Sequence, residues 1–261
     1  MNANDLKEFF DRKVEEYNQP SFIHDDPICV PHRFSKKQDI EISGFFAAIF
    51  SWGNRQTIIK KSLRLMDLMD NAPHDFILNH AEKDLKIMLG FRHRTFNEED
   101  LLYFVRFLQL HYQKYPSLER AFLPNPPPDD AEKNGWAEGS LNQFYQNFFS
   151  LEDIPTRSRK HIACPARHSS CKRLNMFLRW MVRRDRQGVD FGIWKHIHPK
   201  NLICPVDVHV ARVARRFGFL TRSQVDWKAA LELTGHLRRL DPKDPVKYDF
   251  ALFGLGILEH Y

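Results

Sequence analysis

The stretch Ile203-Cys204-Pro205-Val206-Asp207-Val208-His209-Val210-Ala211-Arg212-Val213-Ala214-Arg215-Arg216-Phe217-Gly218 carries the strongest structural signal in the chain. A lone acid follows a proline at the mouth of an amphipathic run, and a glycine stands where the run ends. Asp is a preferred N-cap because its carboxylate accepts from the first free amides of a helix, and Gly is favoured just past the last turn. The stretch therefore predicts a helix from Asp207 to Phe217, with Arg212, Arg215 and Arg216 on its polar side. Upstream, Ser169-Ser170-Cys171-Lys172-Arg173-Leu174-Asn175-Met176 reads as a second capped helix start with a lysine in its first turn. That helix continues to Arg184. Leu174, Phe177, Leu178, Met181 and Val182 form its buried face, and Lys172, Asn175, Arg179 and Arg183 lie on another.

The same period recurs elsewhere. Asp39 to Met69 reads as one or two helices broken at Gly53-Asn54, with Ile42, Phe45, Phe46, Ile49 and Phe50 on one face and Thr57 opening the second. Asn97-Glu98-Glu99-Asp100 is an acidic helix start. Pro124 to Gly139 is a Pro/acid/Gly loop, the clearest insertion or linker. Leu141 to Phe149 is a short amphipathic helix, Trp227 to Leu240 a longer one, and Asp244-Pro245 opens a helix from Val246 to Leu258. No internal repeat and no convincing strand is visible. With 22 Phe against 11 Gly in 261 residues, the expected fold class is all-α, long enough for one large unit or two lobes.

Composition narrows the partners. Residues 155–222 hold 16 Lys or Arg against 3 Asp or Glu, whereas the rest of the chain holds 23 against 30. Such asymmetry predicts a face for a polyanion, most simply a phosphate backbone; the ordinary alternative is a solvated basic face with no partner. The longest apolar run, Gly44 to Trp52, is too short for a bilayer, and Met1 to Tyr17 is too charged for a secretory signal. Cys29, Cys164, Cys171 and Cys204 are scattered, which suits reduced thiols in a cytoplasm. His161, Cys164, His168 and Cys171 fit no common zinc spacing, so no metal is expected.

Lys172 and Asp207 are the candidate catalytic pair. A neutral amine attacks a sugar C1′, and a carboxylate takes the amine's proton or stabilises positive charge on the sugar. A free lysine is protonated at neutral pH, with a pKa of about 10.4. Partial burial, a helix N-terminus and a neighbour such as Arg173 are the three features expected to favour the neutral amine. The plain alternatives are a solvated lysine or phosphate contact for Lys172 and an N-cap for Asp207; the cap and the catalytic role are compatible. His209 reads as a packing or phosphate-contact residue. Arg212, Arg215 and Arg216 read as backbone contacts or a solvated face. The polar turn Gly53-Asn54-Arg55-Gln56 is either an ordinary helix–helix turn or, in a base-flipping enzyme, the element filling the gap left by the extruded nucleotide. Trp52, Trp180 and Trp194 are core residues or base-stacking platforms.

At Pro205-Val206-Asp207-Val208-His209-Val210 the chain resembles the helix-hairpin-helix DNA glycosylase (HhH-GPD) superfamily, which includes endonuclease III and the oxidised-guanine glycosylases. That resemblance makes Asp207 the catalytic acid and Lys172, after a helical hairpin, the nucleophile. It is specific around 169–218 and weaker at Asp39 to Lys61, which looks like the superfamily's first core helix pair. Lys172–Met181 and Lys247–Gly256 look like an uncharacterised bacterial family placed in that superfamily. Two departures stand out. The usual Leu-Pro-Gly-x-Gly hairpin is here Cys164-Pro165-Ala166-Arg167-His168-Ser169-Ser170, so phosphate binding is rebuilt with Arg167, Ser169 or Ser170, or is absent. The lysine-to-aspartate separation is 35 positions, because Asp185 to Cys204 is inserted, which is similar to the archaeal 8-oxoguanine DNA glycosylase branch. The iron–sulfur cysteines of endonuclease III are missing, so no cofactor is expected.

The resemblance implies a single all-α, two-lobed unit over 1–261, with N- and C-terminal segments sharing one lobe and DNA entering a cleft. It implies base-excision repair by a monomeric glycosylase with AP (β) lyase activity, acting on an oxidised purine in duplex DNA. Arg167, Arg173 and Arg179 would contact phosphate or line the base pocket. The alternatives are a nucleic-acid-binding protein that keeps the fold without catalysis, and a monofunctional glycosylase in which Lys172 only contacts phosphate.

Overall fold

A computed structural model describes residues 3–124, 135–259 and 261. Among these the chain is all-α. Its helices are α1 (Ala3–Tyr17), α2 (Ser21–His24), α3 (Lys37–Phe50), α4 (Arg55–Leu68), α5 (Pro73–Asn79), α6 (Glu98–Lys114), α7 (Gly135–Phe148), α8 (Lys172–Val182), α9 (Val208–Arg216), α10 (Trp227–Leu240) and α11 (Tyr248–Ile257), joined by short 3-10 turns. The described residues contain no strand, only the isolated bridges His93–Phe96 and Ser169–Asp226. None of these helices is long and apolar enough to cross a membrane.

Local chemistry accounts for the helix boundaries. Asn54 caps α4 through its Oδ1, which accepts from the Thr57 amide at 3.1 Å, so the helix opens at Arg55 rather than at Thr57. Asn97 and Asp100 form a reciprocal capping box at α6. The loop expected over 124–139 is cut short, because Gly135 to Gly139 are already the first turns of α7; residues 125–134 lie outside the described residues. Asp244 does not cap the last helix. A 3-10 turn, Pro245–Lys247, intervenes before α11, and the Asp244 carboxylate bonds to Arg183 instead.

The described residues fall into two compact units. One is formed from Asp25–Leu123 and Gln143–Ile162. Its interior is an aromatic cluster in which Phe45, Phe46, Phe50, Phe96, Phe104, Phe122, Phe144 and Phe148 are all fully buried. Phe122 stacks on Phe144 with ring centres 4.1 Å apart, and Phe104 meets Phe148 edge-on at 4.7 Å. Two buried acids tie its segments together. Glu41 accepts from Tyr112 Oη at 2.9 Å, Ser117 Oγ at 2.5 Å and the Leu118 amide at 3.0 Å. Burial alone would raise the Asp100 carboxyl, but bonds from His161 and Ser158 overcome it and hold the group below the usual carboxylate range.

The other unit comprises the described parts of Met1–His24, Pro124–Asn142 and Ala163–Tyr261. Helix α1, which the sequence reading left unassigned, lies along α11. Phe10 sits edge-on to Tyr248 and beside Phe217 and Phe219 of the α9 end. Tyr17 and Lys13 bond the Glu259 carboxylate just past α11. Trp180 and Trp194 are buried, as core residues. The segment between α8 and α9 is irregular apart from a 3-10 turn at Pro199–Asn201, yet Val189, Trp194, Ile197 and Leu202 anchor it inside.

The α1–α11 seam requires a glycine. A Cβ on Gly254 would run into the Tyr17 ring. Gly254→Ala is therefore expected to lower stability by about 1–3 kcal/mol, the usual cost of overpacking a tight core. Denaturant unfolding of the two proteins measures it; unchanged stability would mean that α1 is not seated on this face.

Candidate active site

Lys172 and Asp207 meet, and each is placed by the start of a helix. Asp207 has an extended backbone as N-cap of α9, and its Oδ1 accepts from the amides of His209 at 2.9 Å and Val210 at 3.0 Å. Its other oxygen, Oδ2, lies 3.9 Å from Lys172 Nζ, with both side chains little more than a quarter exposed. Capping thus fixes the direction of the carboxylate and leaves one oxygen facing the amine. The positive end of α9 also favours a negative group at this position.

Lys172 is the first residue of α8. The expected serine cap is absent: Cys171 occupies the cap position in the left-handed region, at φ 53°, with no side-chain cap. Ser169 Oγ instead accepts from the Cys171 amide at 3.1 Å. Ser170 Oγ donates to the Val206 carbonyl at 3.2 Å, and Asn175 Nδ2 donates to the Ser170 carbonyl at 3.0 Å. The bond from Ser170 ties the lysine-bearing turn directly to the strand of chain that ends in Asp207. Lys172 Nζ also contacts the Met176 sulfur at 3.6 Å.

The polar face expected on α8 is not a solvent face. Asn175, Arg179 and Arg183 are buried like the apolar face. Arg179 bonds Asp249 on α11 and pairs with Asp190 at 3.3 Å, its guanidinium lying 4.3 Å from the centre of the Phe250 ring. Arg183 pairs with Asp185 at 2.7 Å, Asp190 at 3.2 Å and Asp244 at 2.9 Å. Arg179 is therefore corrected from a phosphate or base-pocket contact to an internal ion-pair residue, since its charge is already matched inside.

Asp249 is the residue the sequence reading missed. It is 5% exposed, in the first turn of α11. Burial pushes its carboxyl up, against the pull of Arg179 and Lys172 and with the push of Asp207, to about 6. The signal was present: a single acid inside Tyr248-Asp249-Phe250-Ala251-Leu252-Phe253-Gly254-Leu255 is an acid in an apolar helix, which demands a buried cation.

The remaining candidates separate. Arg167 is exposed on a 3-10 turn, Pro165–Arg167, that stands where the hairpin was expected. The missing hairpin glycine is replaced by His168 itself in the left-handed region, at φ 59°. The amide of Ala166 is taken by Asn142 Oδ1 at 3.0 Å. Ser169 and Ser170 are engaged in the turn described above. Arg173 is half-buried, and burial pushes its guanidinium down to about 10. Arg212 donates to the carbonyls of Tyr261 at 2.5 Å and Gly256 at 2.7 Å, clamping the end of α11. His209 is half-exposed on the first turn of α9. Asn54 and Arg55 belong to the other compact unit, where Asn54 is an exposed helix cap. The basic stretch is also less free than its composition suggested: Arg222 pairs with Asp226, and Arg215 bonds the carbonyls of Arg222 and Ser223.

The chain matches, over residues 26–258, the family described as "Protein of unknown function (DUF2400)", and it belongs to that family. No curated protein matches it, and no solved structure does.

The two functions of Asp207 can be separated by substitution. Asn still accepts at a cap, so Asp207→Asn is expected to keep wild-type stability. Asp207→Ala should lose about 1 kcal/mol, the ordinary worth of a cap. Denaturant midpoints measure both; equal losses in the two variants would show that the charge, not the cap, stabilises α9.

Proposed function

We propose that the protein is a DNA glycosylase with AP (β) lyase activity, working through Lys172 and Asp207 on an oxidised purine such as 8-oxoguanine in duplex DNA. The observation that carries this reading is the second oxygen of Asp207, not used by the cap, 3.9 Å from the Lys172 amine, with both side chains partly exposed. The resemblance around 169–218 supplies the substrate class, and the all-α fold agrees with it. A glycosylase-like fold and a monomeric state are part of the same proposal.

The chemistry follows from the pair. The neutral amine attacks C1′ of the deoxyribose, and the bond from C1′ to the base breaks with its electrons leaving on the base, which takes up a proton. Asp207, oriented by its cap, accepts the proton shed by the nitrogen and stabilises positive charge on the sugar. Opening of the sugar ring leaves a protonated Schiff base. Loss of a C2′ proton then expels the 3′-phosphate, and water releases Lys172. Arg167, exposed beside this turn, is the candidate for a backbone phosphate.

Borohydride trapping on duplex oligonucleotides carrying single lesions tests the reading. A covalent adduct is expected with one lesion, lost in Lys172→Gln and formed about a hundredfold or more slowly in Asp207→Asn, the scale of a lost general base. No adduct on any lesion, with salt-sensitive DNA binding intact, would overturn it in favour of a binding protein. Base release surviving in Lys172→Gln but lost in Asp207→Asn would make the enzyme monofunctional.

A further inference from the structure

Two pairs of phenylalanines, Phe9-Phe10 on α1 and Phe217-Gly218-Phe219 at the end of α9, each divide between core and surface. Phe10 and Phe219 are buried and meet with ring centres 5.2 Å apart. Phe9 and Phe217 stay half-buried and meet each other at 5.6 Å. On α1 the helical turn separates the two rings. After α9, Gly218 at φ 71° turns the chain so that Phe219 goes in while Phe217 remains at the edge.

Tyr261 extends this surface row. Its half-buried ring lies nearly parallel to that of Phe217, at 14° and 5.9 Å, and the Arg216 guanidinium lies over it, 4.4 Å from the ring centre. At the other end the Arg12 guanidinium lies over Phe9 at 5.8 Å. Phe217 thus stands between two partly exposed rings, each faced by a cation. The backbone of Tyr261 is held independently of its ring: its amide donates to the Leu255 carbonyl at 3.0 Å, and its carbonyl accepts from Arg212 Nε at 2.5 Å.

The charge of this surface is unspent. Arg12, Arg212 and Arg216 are exposed, and among the described residues none of them pairs with a carboxylate. Two of the α1 acids are already matched, Asp11 by Lys7 and Lys247 and Glu16 by Lys13. A partner that fits both features offers flat faces to the rings and negative charge to the guanidiniums. Unpaired nucleotides do so; duplex DNA hides its base faces in the stack and offers only edges and phosphates. A guanidinium over a ring is also readily replaced by a base, since both stack through a flat face, and the freed arginine then meets a phosphate.

We propose that Phe9, Phe217 and Tyr261, with Arg12, Arg212 and Arg216, form a binding surface for single-stranded nucleic acid. Bases stack along the row of rings, and the arginines neutralise the backbone. The surface lies ten residues along α9 from the Asp207 cap, about 15 Å at the helical rise, and is a site of its own. It does not rest on the chemistry proposed for Lys172 and Asp207.

Fluorescence anisotropy of the full chain tests it with three lesion-free labelled probes of one length: oligothymidine, a strand of abasic sugar-phosphate, and a duplex. Wild type is expected to bind oligothymidine more tightly than the abasic strand. Tyr261→Ala should weaken oligothymidine binding about tenfold, the scale of one lost stacked base, and leave the other two probes nearly unchanged, whereas Tyr261→Trp keeps the affinity. Arg12→Gln, at the opposite end of the row, should lower the salt dependence on oligothymidine by about 0.7 in the log–log slope, the single-strand value for one cation. Thermal midpoints show whether the variants are folded; both changed side chains reach solvent. Equal loss on all three probes in Tyr261→Ala would reduce the surface to a phosphate contact and overturn the proposal. No loss in either folded variant overturns it as well. Since no probe carries a lesion, either result leaves the trapping experiment on Lys172 to be decided separately.

Discussion

Arg179 is the constraint on which this unit depends. A guanidinium cannot be deprotonated to escape burial, so once inside it must be matched by carboxylates from whatever packs against it. Asp190 and Asp249 provide that match, from the irregular segment and from α11. The pairing sets the rotation of α8 about its own axis, and that rotation decides where the first residue of the helix points. Lys172 lies seven residues before Arg179 in α8, about two turns earlier on the same side. Removing one partner of a buried pair costs about 3–5 kcal/mol, which is large against the stability of a typical domain. The candidate site and the core are therefore not separable here: the same helix face contains Lys172 at its outer end and the ion pairs within.

Much of this was legible in the sequence. Asp207 before an amphipathic run ending in Gly218 located α9, and Trp227–Leu240 coincides with α10. The Phe repeat from Ile42 to Phe50 located α3, whose aromatic face is core. Lys172 and Asp207, 35 positions apart, do come together. The misses share a cause. Periodicity separates apolar from polar residues, but it cannot tell a polar face that meets water from one that meets other charges. Arg179, Arg183 and Asp249 look solvated by composition and are buried because their partners arrive from distant segments. Similarly, Ser169 and Ser170 look like caps but bond within the turn. Helix α1 was missed because its charge obscured the Phe10 and Val14 contacts that seat it.

Charge counting needs the same correction. Residues 155–222 are basic as a string of letters, and Arg167 and the arginines of α9 are exposed. Yet Arg179 and Arg183 balance acids inside, and Asp244 and Asp249 come from beyond the stretch. A basic segment folded around imported carboxylates presents to solvent a smaller field than its sequence suggests.

The cap on Asp207 has a stereochemical consequence. With Oδ1 fixed by two amides, the carboxylate cannot turn its plane, and only Oδ2 reaches the amine. The Ser170 bond to Val206 keeps the two chain segments in register. The pair is thus chiral as a rigid object, not merely because its residues are. Any group entering it would meet the nitrogen from one face and the carboxylate on a defined edge. Handedness of approach would be built into a helix cap.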